Sequence, residues 1–357
     1  MSDTPPSAES IDDRLAQLAQ NPLTAMDAAP PRRVLQDGPG PLPLESLRAG
    51  NAFVERRDSV RSKLRGIRDD RLIRLEQILP GRAPMERNDR PEDLVDRPGE
   101  LVRKLDAMEA RGLRKAKLPQ TPWATTYWPI YQGQTGARYA AAGWPTSRDW
   151  KEFRAFVDKN PVAAVLAAGR ADDLSPAEKY DLLVGDEDFT LTASQWEAGR
   201  RYYESSGSVE PWMGLCHGWA PAAFMLPRPT KPVTVLAADG VTKLTFYPSD
   251  LKALGCLLWA VNDPAARFIG GRCNDKEPRK DPKNGRTLSK QCFDTNPGTW
   301  HLCVVNQIGV AQRSFIIDAT FDYEVWNQPV LGYAYGYFDP RTRKSVKTLA
   351  EATVARA

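Results

Sequence analysis

Gly214-Leu215-Cys216-His217-Gly218-Trp219-Ala220-Pro221-Ala222-Ala223-Phe224-Met225 is the stretch on which the reading of this chain turns. Beyond Trp219 it is apolar on every side, which predicts a buried helix. A proline is tolerated near the start of such a helix, where the first N–H groups have no intrahelical acceptor in any case. Pro221 therefore predicts a helix beginning close to Cys216, with the thiol at the positive end of the helix dipole. A thiolate is stabilised there, and the thiolate is the nucleophilic form of cysteine. Gly214 and Gly218 read as leaving room beside the thiol for a substrate backbone.

A nucleophilic thiol needs a base, and the chain has two histidines, His217 and His301. Neighbours on a helix point about 100° apart, so the His217 ring should miss the Cys216 sulfur. His301 leads the apolar run His301-Leu302-Cys303-Val304-Val305, read as a strand, and Asp318 closes the next run, Phe315-Ile316-Ile317-Asp318. A hairpin of two such strands sets His301 beside Asp318, whose carboxylate would fix the imidazole tautomer. Asp294 and Asp322 are the rival carboxylates. Cys216, His301 and Asp318 together are the parts of a cysteine acyl-transfer enzyme. For the oxyanion, the Cys216 N–H at the helix start is the simplest donor. Trp212, Trp219 and Trp300 are the further candidates for an oxyanion or substrate contact, with Trp196 beside them. Gln195 is too far upstream of Cys216 for its spacing to carry weight.

The rest of the composition narrows the field. The chain has 357 residues, 41% hydrophobic and 26% charged, with a formal net charge of +4. That small excess, without a basic stripe alternating with aromatics, predicts no nucleic-acid partner. No apolar run reaches the about 20 residues of a membrane span. The start, Met1-Ser2-Asp3-Thr4-Pro5-Pro6, has no basic segment followed by an apolar one, so no signal peptide is visible. The expectation is a cytoplasmic protein or one exported by a route that reads no such segment. The five cysteines contain no CxxC pair, so zinc is not expected. Cys256 and Cys303 lie in apolar runs and read as inert core residues. Cys273 and Cys292 flank a polar loop: a disulfide between them would staple it, two free thiols would leave it open, and the sequence allows both. Asp186 and Asp188, in Gly185-Asp186-Glu187-Asp188, are weak candidates for a cation but lack EF-hand spacing.

Aromatic residues mark the organisation. Every tryptophan and tyrosine lies at or beyond Trp123, and of the phenylalanines only Phe53 precedes it. Residues 1–45, rich in Pro, Ala and Ser, are expected to be disordered. Residues 46–118 form a charged, Arg-rich extension, expected to hold polar helices around a break at Pro80-Gly81 and suited to a pro-region, a docking arm or a solvated tail. A catalytic domain is expected over 119–345. Its helices are predicted at 147–160, 175–184 (Ser175 as N-cap, Pro176 first in the helix) and 192–205 with a threonine cap. Strands are predicted at 233–236, 243–247, 302–308 and 314–318. Helices first and strands later, without alternation, give an α+β fold.

The sequence resembles the transglutaminase elicitor family, known from oomycete cell walls and from bacteria. The likeness rests on Trp212-Met213-Gly214-Leu215-Cys216-His217-Gly218-Trp219-Ala220-Pro221-Ala222-Ala223, on Thr242-Lys243-Leu244-Thr245-Phe246-Tyr247-Pro248-Ser249-Asp250 and on Asp294-Thr295-Asn296-Pro297-Gly298-Thr299-Trp300-His301. Its most specific part is Asp322-Tyr323-Glu324-Val325-Trp326-Asn327-Gln328-Pro329-Val330, within which Val325 to Val330 is similar to the start of a surface peptide perceived by plants, the likeness ending after Val330. More distantly, Ile317-Asp318-Ala319-Thr320 is similar to the aspartate strand of the wider transglutaminase-like superfamily. The resemblance implies a papain-like core with the nucleophile at a helix start and an antiparallel sheet carrying His301 and Asp318. It implies a protein-glutamine donor, a lysine or other primary-amine acceptor, and calcium dependence, the chemistry itself requiring no cofactor. Two other readings stay open: a glutamine deamidase or cysteine peptidase with the same triad, and a non-catalytic host-interaction module.

Overall fold

The computed structural model describes residues 16–27, 31–33, 88–261, 267–320 and 323–352. The N-terminal expectations for 1–15, 28–30 and 34–87, the helical break at Pro80-Gly81 included, and the rival carboxylate Asp322 lie outside the described residues. In chain order the helices are α1 (Pro22–Asp27), α2 (Leu105–Ala110), α3 (Trp150–Lys159), α4 (Val162–Ala167), α5 (Pro176–Val184), α6 (Thr190–Ser206), α7 (Cys216–Met225), α8 (Pro248–Val261), α9 (Pro297–Val304) and α10 (Leu349–Ala352). The strands are β1 (Lys115–Lys117), β2 (Val233–Leu236), β3 (Lys243–Phe246), β4 (Ile316–Asp318), β5 (Asn327–Pro329), β6 (Gly332–Ala334), β7 (Tyr337–Phe338) and β8 (Ser345–Val346). The fold is mixed, with helices and small two-stranded antiparallel sheets. No described helix is long and apolar enough to cross a membrane.

The chain divides into two compact units. The first takes in Met1–Gly81, Trp123–Asp263 and Val325–Gln328; the second takes in Arg82–Pro122, Pro264–Glu324 and Pro329–Ala357. The stretch expected as one catalytic domain, 119–345, thus runs through both.

In the first unit local sequence sets the helix ends. Asp149 accepts from Lys151 N to start α3. Ser175 and Glu178 form a reciprocal capping box at α5, and Gly185 ends that helix at a φ of 71°. The expected threonine cap of the next helix is corrected: α6 starts at Thr190, and Thr192 lies inside its first turn. Two carboxylates do the capping, one from α5 itself and one from the turn after it. Asp186 accepts from Thr190 N, while Asp181 accepts from Leu191 N, Thr192 N and Thr192 Oγ1.

Two ion pairs cross the interior. Arg138 binds both oxygens of Glu178, and Lys179 Nζ lies 2.7 Å from Asp250 Oδ2, with all four side chains almost fully buried. Asp250 also accepts from Tyr139 OH and Tyr247 N, so this charge has a nearly complete set of donors. The hairpin β2–β3 pairs Val233 with Phe246 and closes over Val235, Leu244 and Phe246. A second cluster gathers Ile130, Tyr131, Phe153, Val157 and Trp196.

The second unit corrects the expected strand at 302–308. Asn296 caps α9 with Pro297 in its first position, and the helix continues through Val304 into a π-turn at Val305–Val310. Leu302-Cys303-Val304-Val305 is apolar because it is buried in a helix, which periodicity alone does not separate from a buried strand. The hairpin expected to carry His301 and Asp318 is therefore absent: His301 is the fifth residue of α9, and only Asp318 lies on a strand. Asn306 exchanges hydrogen bonds with the Val102 backbone, and Gln307 does so with Asp96. Residues 88–118, expected in a charged extension, thus belong to this unit and give its core Val95, Val102, Met108, Leu113 and Leu118. β1 pairs antiparallel with β6, Ala116 opposite Tyr333. Cys273 and Cys292 form a disulfide that closes the polar loop between them. Cys256 and Cys303 are fully buried free thiols, and burial pushes Cys303 up to about 12.

Candidate active site

Cys216 is the first residue of α7 and only 4% exposed. Leu215 N donates to the Tyr127 carbonyl at 2.6 Å, which fixes the approach to the helix. Pro221 is sixth in α7, beyond the turn whose N–H groups lack acceptors, so it withholds a donor from the carbonyl of His217. The two glycines do not leave substrate space. A Cβ on Gly214 would lie 2.5 Å from the Tyr127 carbonyl oxygen, and one on Gly218 would lie 2.1 Å from the Cys256 carbonyl oxygen. Gly218 is needed so that α7 and α8 can approach closely, and Gly214 so that Tyr127 can.

The sulfur's partners come from the last segment of the first unit. The Cys216 thiol donates to the Val325 carbonyl at 3.4 Å, and Asn327 Nδ2 donates to Sγ at 3.4 Å. Between those two residues Trp326 is fully buried, with its ring edge-on to Tyr127 at 5.1 Å. The segment similar to a surface peptide, Val325 to Val330, is therefore corrected at Trp326, which is interior because its indole packs on an aromatic ring. Gln328 Nε2 reaches Met26 Sδ of α1 at 3.1 Å.

Of the tryptophans considered for the oxyanion, two have their indole N–H engaged. Trp219 Nε1 donates to the Trp123 carbonyl at 3.0 Å and Trp212 Nε1 to Glu210 at 2.6 Å. Trp196 is packed against Gly133 and Gly136, and Gln195 is bonded to Thr135. Trp300 belongs to the second unit, edge-on to Phe315.

His301 and Asp318 are also in the second unit. The His301 ring meets Tyr335 edge-on at 4.7 Å, and its Nε2 is buried without a hydrogen-bond partner among the described residues. Burial lowers its pKa and favours the neutral ring. Asp318 Oδ1 accepts from Thr320 Oγ1 at 3.2 Å, and no hydrogen bond joins it to His301. Asp318 instead faces a cleft of about 380 Å³ that it shares with Trp300, Phe315, Asp294 and the disulfide.

At the acidic turn read as a cation candidate, the Asp186 carboxylate is already engaged. Asp186 is 2% exposed, and its oxygens accept from the backbone of Asp188 and Thr190. Among the described residues no group of three or more His, Cys, Asp or Glu is arranged to hold a metal. What sequence reasoning missed around Cys216 is Asn327, Val325 and Tyr127. Asn327 and Val325 stood within the family-like segment, but nothing in their spacing points to a thiol 109 or more residues upstream.

Among proteins of curated function, none matches. Among solved structures, the crystal structure of the GP42 transglutaminase from Phytophthora sojae is similar at 22% identity and a TM-score of 0.36. The match covers 62% of this chain and 55% of that one, so the chain spans little over half the length of that structure. The family model described as transglutaminase elicitor matches residues 100–348, well over half of the chain. The chain belongs to the transglutaminase elicitor family.

Proposed function

We propose that this transglutaminase-related protein is an acyltransferase that joins a protein glutamine to a primary amine through a Cys216 thioester. The observation that carries the reading is the position of Cys216. Its thiol stands at the first residue of a ten-residue helix, held between two residues of the segment most specific to the family.

In this reading His301 takes the thiol proton as Cys216 Sγ attacks the carboxamide carbon. The tetrahedral adduct collapses, the C–N bond breaks, and the nitrogen leaves as ammonia with the proton returned by His301. An amine then attacks the thioester, gives its proton to His301 and releases the thiolate, leaving an isopeptide. The roles of His301 as base and Asp318 as its orienting carboxylate rest on the family resemblance, together with the buried, neutral-favouring site of the imidazole. They belong to the substrate-bound state, in which catalytic hydrogen bonds commonly tighten. A lysine side chain is the proposed acceptor and a papain-like core the proposed frame. No step is routed through a metal.

The test follows incorporation of a fluorescent primary amine into a glutamine-rich protein, with ammonia release in parallel and Cys216→Ala as control. Incorporation and ammonia that both vanish in Cys216→Ala are the expected result. Ammonia without incorporation makes the protein a deamidase. Wild-type rates in the alanine variant would remove Cys216 from the mechanism.

A further inference from the structure

We propose that Asn327 is the side-chain half of the oxyanion hole, its Nδ2 acting with the Cys216 backbone N–H. This rests on reading Cys216 as an acyl-accepting nucleophile, but not on glutamine being the donor. The argument begins from the sulfur. Asn327 Nδ2 lies 3.4 Å from Sγ in the resting protein. When Sγ bonds to an acyl carbon, the carbonyl oxygen takes on negative charge one bond beyond that carbon. A donor already touching the sulfur needs only a small swing to come within about 3 Å of that oxygen. As the first residue of α7, Cys216 has an N–H with no acceptor inside the helix, and it points out of the same helix end.

The second line of argument is how firmly the two donors are placed relative to each other. Tyr127 anchors both. Its carbonyl receives Leu215 N, the residue before Cys216, and its ring supports Trp326, the residue before Asn327. The phenol itself is tied to the Pro211 carbonyl at 2.7 Å. The carbonyl of Val325, on the other side of Trp326, accepts the hydrogen bond of the thiol, so the amide of Asn327 meets the sulfur on a different side from the S–H bond. A donor held this way costs no reorganisation when charge develops. A neutral amide also suits the place, since it gives an N–H without adding a charge to a buried pocket. Trp219 and Trp212 leave this role open, because they direct their N–H groups to Trp123 and Glu210.

The experiment compares two reactions of Cys216 in the full chain. p-Nitrophenyl acetate acylates the thiol through a tetrahedral oxyanion, whereas iodoacetamide alkylates it by displacement at carbon with no oxyanion. Asn327→Ala and the near-isosteric, uncharged Asn327→Leu are measured against wild type, with circular dichroism to establish the fold. The expected result is a fall in the Cys216-dependent acylation rate of about 10²–10³-fold in both variants, the cost of losing one oxyanion donor. Alkylation rates should stay within a few-fold of wild type. A parallel fall in both reactions would make Asn327 a residue that only positions the thiol and overturns the proposal, as does an unchanged acylation rate. A wild-type chain that is not acylated at Cys216 overturns it as well. Acylation that persists while glutamine is not a donor leaves this assignment standing and removes the glutamine reading alone.

Discussion

At the scale of single residues, His301 carries the sharpest expectation. Its Nε2 is buried without a hydrogen-bond partner among the described residues, and burial lowers its pKa from the ordinary 6.5. The neutral ring is the form that accepts a proton, so a base in this place is competent at neutral pH. If His301 is the base, kcat/KM for acyl transfer should fall on the acid side through a limb lying below 6.5. A pH–rate profile of wild type and His301→Gln checks this: the variant should lose most activity and lose the limb with it. A limb that persists in the variant would transfer the base role to another group. The carboxylate half of the assignment works differently. Asp318 is exposed and bonded to Thr320, so its proposed role depends on substrate-bound geometry rather than on a resting contact.

At the scale of elements, the first unit depends on charges buried along α5. Lys179 is fully buried against Asp250, which also receives Tyr139 and Tyr247. Replacing Lys179 by methionine keeps the volume but leaves a buried carboxylate without its cation. The expected loss is about 3–5 kcal/mol in urea unfolding, the usual cost of breaking a buried pair from one side. Asp181, also on α5, answers to pH. Burial is the largest influence on its carboxyl and raises the pKa from 3.8 to about 7, against the lowering effect of its bonds from Leu191 and Thr192. Between those two values the folded chain holds a proton that the unfolded chain releases. Its contribution to stability is therefore complete below about pH 4 and is lost as the pH climbs to about 7. Asp181→Asn should flatten the pH dependence of unfolding across that window; an unchanged slope would show that the bonds from α6 outweigh burial.

At the scale of the whole molecule, the two units should respond separately to reducing agent. The Cys273–Cys292 disulfide closes a sequence separation of 19 within the second unit, while the first unit contains free cysteines only. Closing a loop of that length is worth about 3 kcal/mol. Reduction should therefore speed hydrogen exchange in residues 267–320 while leaving 176–261 unchanged, and Cys273→Ser/Cys292→Ser should behave like the reduced chain. Equal loss of protection in both segments would show that the staple supports more than its own unit. Because such bridges persist in oxidising surroundings, the same measurement bears on where the protein works.

The sequence by itself determined what depends on neighbours along the chain. Ser175-Pro176-Ala177-Glu178 specified its own capping box, β2 and β3 followed from short strand-like runs around a turn, and a helix beginning close to Cys216 was legible from the apolar run that follows it. The family was legible too, from motifs long enough to be specific. Tertiary structure decided everything that depended on burial at a distance. Leu302–Val305 looked like a strand because an apolar run has no face to declare its period, and packing against residues 88–118 made it helix instead. Gly214 and Gly218 looked like openings for substrate because a glycine in sequence does not say what fills the space it leaves. Asn327 came to the thiol, and Trp219 was withdrawn from it, through contacts spanning 111 and 96 residues. Local hydrogen bonds and turn preferences act over a few residues and can be read in order. The surroundings of the Cys216 sulfur are chosen by which distant segments bury their side chains together, and only the folded chain contains that choice.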